Sequence, residues 1–220
     1  MRTGGEKFSK PYRRLLGKGV WLLATVFITV VTASVASAEW RPRVVRKGTL
    51  SLGLYGQGAT ILGGGELGSD FGFGPGLGAR LRYRTSRESA LSFNFAAQTY
   101  KANDGTFTAD SIAVDNLTAI TTTVEYVQYF RVRKRAPRYV LIGAGLLQTR
   151  RNLANDLTEF PGDGGVLTVG AGTEIWWKRT FSFDLALRYN AYIKSKEFED
   201  GTDVTSTLEI SLGFQFYTSR

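Results

Sequence analysis

The sequence predicts an all-β protein, an antiparallel up-and-down barrel of eight strands that crosses a membrane, preceded by a cleavable signal peptide. Three observations carry this. Apolar residues alternate with small or polar ones in run after run, the period of a strand whose two faces meet different surroundings. The connections between the runs alternate short and long. The first residues have the layout of an export signal.

The leader comes first in the chain. Lys10, Arg13, Arg14 and Lys18 precede an apolar run from Val20 to Val35, and Ala36, Ser37 and Ala38 supply a small-residue cleavage site. Cleavage is expected after Ala38. A retained anchor is the weaker reading, because a spanning helix needs about 20 apolar residues. Residues 39–47 then form a short N-terminal segment and 48–220 the barrel.

The first strand, 49–57, sets Leu50, Leu52 and Leu54 against Ser51, Gly53, Tyr55 and Gln57. The second, 76–84, sets Leu77, Ala79, Leu81 and Tyr83 against Gly78, Arg80, Arg82 and Arg84. The third, 90–100, is the cleanest, with Leu91, Phe93, Phe95 and Ala97 opposite Ser92, Asn94, Ala96 and Gln98. In the fourth, 117–130, Ile120, Val124, Tyr126 and Phe130 oppose Ala119, Thr121, Thr123 and Glu125. The fifth, 139–149, is apolar on both sides, so its inward face stays open. The sixth, 166–177, pairs Leu167, Val169, Ala171, Ile175 and Trp177 against Thr168, Gly170, Gly172 and Glu174. The seventh, 181–192, opposes Phe181, Phe183, Leu185, Leu187 and Tyr189 to Ser182, Asp184, Ala186, Arg188 and Asn190. The eighth, 204–217, carries Leu208, Ile210, Leu212, Phe214 and Phe216 on one face and Glu209, Ser211, Gly213 and Gln215 on the other.

Segments 85–89, 131–138 and 178–180 are the short connections, and 58–72, 101–116, 150–165 and 193–203 the long ones. An outer-membrane barrel has short periplasmic turns and longer external loops. Both chain ends then fall at the short-turn end. Aromatics gather there too, as an interfacial girdle requires: Tyr83, Phe130, Tyr139, Trp177, Phe181, Phe216 and Tyr217, with Tyr129 and Trp176 nearby.

The two faces decide inside from outside. Eight strands enclose a packed interior or one small ligand. The Phe, Leu, Ile and Tyr faces would overfill that space, whereas the Gly, Ser, Ala and Thr faces fit. The apolar band is therefore expected to face lipid. The inward charges, Arg80, Arg82, Glu125, Glu174, Asp184, Arg188 and Glu209 together with Arg84, must then pair, because an unpaired buried ion is very costly. An interior salt-bridge network is expected.

The eight runs, the loop alternation, "YVLIGAGLL", "VGAGTEIWW" followed by "FSFDLALRYNAY", and the ending "LGFQFY" together resemble the eight-stranded OmpA-like and OmpX-like outer-membrane β-barrels, over about 48–217. That family's strands usually end on an aromatic residue, whereas here Thr218, Ser219 and Arg220 follow Tyr217. The resemblance implies a Gram-negative outer-membrane location reached through the signal peptide. No peptidoglycan-binding domain is expected after the barrel.

Composition limits the chemistry. The chain has no cysteine and no histidine, which removes Cys-His and Ser-His catalysis and imidazole metal sites. Small barrels with enzymatic activity rely on a histidine, so no enzyme is expected here, and no catalytic residue, cofactor or metal is assigned. The net charge is +9, but the first 38 residues hold six of the 28 basic residues and one of the 19 acidic ones, leaving +4 for the rest. A nucleic-acid partner therefore loses support. Glycine-rich stretches at 61–68 and 71–78 lack the Gly-Lys-Ser/Thr of a phosphate loop. The acidic stretches 101–110, 155–165 and 197–203 lack the spacing of a calcium loop. Partners reduce to outer-membrane lipid and an unidentified external ligand of the loops, with the chain a monomer. The expected role is structural or adhesive through four external loops. The alternatives are a narrow channel for ions or small solutes and, second, a soluble periplasmic carrier of lipocalin type.

Overall fold

A computed structural model describes residues 45–62, 71–102, 114–153, 158–194 and 203–218. The leader 1–38 and most of segment 39–47 lie outside the described residues. Eight strands form a closed barrel in sequence order: β1 (Leu50–Ile61), β2 (Phe73–Arg84), β3 (Ser89–Lys101), β4 (Val114–Phe130), β5 (Arg138–Leu153), β6 (Thr158–Lys178), β7 (Phe181–Lys194) and β8 (Asp203–Tyr217). Every neighbouring pair is antiparallel. β8 closes on β1 in a register running from Ser51 opposite Tyr217 to Ile61 opposite Thr207, so no sheet edge is left open.

Alternation sets the faces. Leu52, Leu54, Phe93, Phe95, Leu212 and Phe214 face outward and are half exposed, while Ser51, Ser92, Asn94, Ser211 and Gln215 are buried inside. This is the inverse of a soluble barrel, whose apolar residues point inward. The fifth strand resolves in the same way: Val140, Ile142, Ala144 and Leu146 face out, and Tyr139, Leu141, Gly143, Gly145 and Leu147 face in. Its inward glycines are required by close approach. A Cβ on Gly143 would lie 2.6 Å from the Val124 carbonyl oxygen, and one on Gly145 would overlap the backbone of Thr122 and Thr123.

The strands run further at the long-connection end than the sequence suggests. The connections shrink to 62–72, 102–113, 154–157 and 195–202. The largest correction is at 150–165, expected as one of the long connections. Gly162, Asp163 and Gly164 pair instead, opposite Thr149, Gln148 and Leu147, and a register shift between Thr149 and Arg151 leaves Pro161 outside the pairing. Turn-forming composition masked a ladder that needs only backbone.

Candidate functional site

The barrel interior is where the sequence places its buried charges. Residues 80, 82 and 84 alternate inward on β2, Glu125 projects from β4, Glu174 from β6, Asp184 and Arg188 from β7, and Glu209 from β8. All eight are nearly inaccessible to solvent. Among the described residues they make four guanidinium groups and four carboxylates, so the buried lumen is neutral overall.

Two clusters divide these charges. In the one nearer the short turns, Glu174 and Asp184 stand directly opposite each other across β6 and β7. Like charges in that position repel. Three arginines reach across from β2 to neutralise them: Arg80 to Asp184 at 2.8 Å, Arg84 to Glu174 at 3.1 Å, and Arg82 between the two at 3.4 and 3.7 Å. Small residues beside β2 leave room for these side chains, since Arg80 pairs with Gly53 and Arg82 with Ser51 on β1. Hydroxyls complete the carboxylate shells. Tyr139 donates to Asp184 at 2.8 Å, Ser182 to Glu174 at 2.8 Å, and Tyr217 also donates to Glu174. Arg82 donates to the Tyr129 hydroxyl, and Arg80 to the Asn94 amide oxygen at 2.6 Å.

The second cluster has one arginine and two carboxylates. Arg188 lies opposite Glu209 in the β7–β8 register and contacts it at 3.1 Å, with Glu125 at 3.4 Å from the far wall. Ser211 accepts from Arg188, and Asn190 donates to Glu209. Tyr55 joins the clusters: its ring lies 4.7 Å from the Arg80 guanidinium and 5.7 Å from that of Arg188. Toward the long connections the filling turns apolar, with Tyr100, Leu117, Leu147, Val166 and Tyr192 packed together.

Little space remains between these layers. A cavity of about 20 Å³ lies among Gln57, Glu125, Arg188 and Glu209, and one of about 30 Å³ among Tyr100, Leu117, Leu147 and Tyr192. Each holds about one or two waters. Among the described residues each lumenal carboxylate, Glu125, Glu174, Asp184 and Glu209, sits against an arginine. Among the described residues no group of three or more His, Cys, Asp or Glu is arranged to hold a metal ion.

The aromatic girdle is smaller than its sequence outline. Tyr83, Phe130, Trp177 and Phe216 face outward and are about half exposed, and Phe181 stacks on Phe214 in the same outward row. Tyr139 and Tyr217 are 1% and 7% exposed and point into the lumen, as do Tyr129 and Trp176. Their parity explains the correction. Tyr217 follows the outward Phe216, and Tyr139 precedes the outward Val140, so each must point inward. These tyrosines are also what sequence reasoning missed in the charge network, and the same parity would have found them.

The model of the outer membrane protein β-barrel domain matches residues 23–216 of the chain. Among solved structures, Neisserial surface protein A is similar at 16% identity, with 77% of this chain and 99% of that one covered and a TM-score of 0.53. OprG from Pseudomonas aeruginosa is similar at 10% identity, over 81% of this chain and 100% of that one, also at 0.53. Ail, the attachment invasion locus protein of Yersinia pestis, follows at 18% identity, 77% and 99% coverage and 0.47. No curated protein matches the sequence.

Proposed function

The chain belongs to the outer membrane protein β-barrel family and is an integral protein of the Gram-negative outer membrane, and from that premise we propose that it serves as a closed monomeric barrel whose work is structural or adhesive, carried by the four external connections. The observation that supports this reading over a channel is the filled lumen. Ion pairs, tyrosines and an apolar layer occupy successive levels, and cavities of about 20 and 30 Å³ lie between them. Such a filling leaves little room for a hydrated ion or small solute, and this supports the closed reading. An apolar outward face argues equally against the soluble carrier, which would need that face around its ligand.

The test separates the barrel from its connections. Residues 63–70, 103–112, 154–157 and 196–201 are replaced by short Gly-Ser links. The variant is expected to reach the outer membrane and to keep the shift in gel mobility between unheated and boiled samples, while cells displaying it lose the surface adhesion or aggregation that the intact chain confers. Intact surface behaviour in a correctly inserted variant would contradict a role for the connections.

A further inference from the structure

Both described chain ends meet at the periplasmic mouth of the barrel. Gly48 has φ 84°, and the Thr49 N–H donates to the Arg46 carbonyl oxygen at 3.2 Å, the arrangement of a tight turn with glycine in its third place. This turn sets Arg46 and Lys47 beside a cavity of about 160 Å³, several times larger than either space in the lumen. The β6–β7 turn brings Arg179 to the same cavity, and Trp176 and Tyr217 form its inner wall. Thr49 and Thr218 add hydroxyls, with Thr218 pinned by its N–H donating to the Leu50 carbonyl at 2.9 Å. Among the described residues no carboxylate lines the cavity, so Arg46, Lys47 and Arg179 stand there without a counter-charge from its described lining.

The surroundings reinforce this polarity. The 131–138 turn carries Arg131, Arg133, Lys134, Arg135 and Arg138, while Glu88 is the one carboxylate in the short turns. Trp177 and Phe216, half exposed on the outer wall at this end, mark the level of the bilayer interface. The cavity therefore lies at the depth of the inner-leaflet headgroups. We propose that it is a binding site for the phosphate of an anionic phospholipid headgroup, with Arg46, Lys47 and Arg179 supplying the charge, Thr49 and Thr218 the hydroxyl contacts, and Trp176 and Tyr217 a wall for the glycerol. Cationic side chains near an anionic lipid surface each add measurably to binding.

Native mass spectrometry of the full chain, refolded in detergent and given equal amounts of phosphatidylglycerol and phosphatidylcholine, tests this. Phosphatidylglycerol should be retained over phosphatidylcholine by about fivefold or more. R46Q/K47Q/R179Q should abolish that preference, R179Q alone should weaken it, and R133Q/K134Q, away from the cavity, should keep it. Each variant is first shown to retain the heat-dependent gel shift, and R179Q lies in a turn outside the strands. Equal retention of the two lipids by the unaltered chain would overturn the proposal. So would a preference lost in R133Q/K134Q but kept in the cavity variants, which would assign it to the basic rim at large. Displacement of the lipid by millimolar inorganic phosphate would overturn the lipid assignment in favour of free phosphate.

Discussion

Glu174 and Asp184 face each other across β6 and β7, and their stability in that position depends on arginines that start from the opposite wall. Asp184→Asn removes the charge that Arg80 and Arg82 share and leaves two buried guanidinium groups short of a partner. The expected loss is about 3 kcal/mol or more of unfolding free energy, measured by urea titration in lipid vesicles. A loss below about 1 kcal/mol would place the pair outside the stabilising network. A second contrast concerns glycines. Gly145→Ala drives a methyl into the β4 backbone and should cost about 1–3 kcal/mol or block insertion. Gly165→Ala meets no atom within 4 Å and should be neutral or stabilising by up to about 1 kcal/mol in the same titration. At this scale the charged residues were legible, because an Arg or Glu on the small-residue face of a strand has nowhere to go but inward. The tyrosines were less so. A Tyr next to an outward Phe reads as part of an aromatic belt unless its parity is followed.

The strand's two faces are its functional statement, and β8 puts it most plainly. Leu212 is at the centre of the outward row from Leu208 to Phe216 and is 59% exposed. Leu212→Arg sets a cation against hydrocarbon and should cost about 2–4 kcal/mol of folding free energy in lipid vesicles. A soluble barrel would tolerate the same change at an exposed position with little loss. Strand existence and facing were readable because the lipid and the lumen impose opposite demands on successive residues. Strand ends were not, because those demands stop where the strands leave the bilayer. Beyond that point Gly162, Asp163 and Gly164 continue the ladder through their backbone, past the unpaired Pro161 and without the alternation that marks the membrane-embedded part. The fifth strand, apolar on both sides, was undecided for the related reason that Leu141 and Leu147 belong to the apolar layers of the lumen.

Charge is segregated by level over the whole molecule. The connections 62–72, 102–113, 154–157 and 195–202 hold Glu66, Asp70, Asp104, Asp110, Asp156, Glu197, Glu199 and Asp200 against Lys196 alone. The short turns are basic, and the lumen between them is balanced. The topology was legible from alternating connection lengths, and the neutral interior from the need to pair each inward charge. Whether the lumen conducts was not, because that depends on how completely side chains from eight strands meet, which no single strand records. We infer that they meet well enough to close the barrel. Purified protein added to a planar lipid bilayer in molar salt should give no stepwise conductance above the bare membrane, even when vesicle-inserted samples retain the heat-dependent gel shift. Stable unitary steps from the unaltered chain would contradict the account and establish the barrel as a channel.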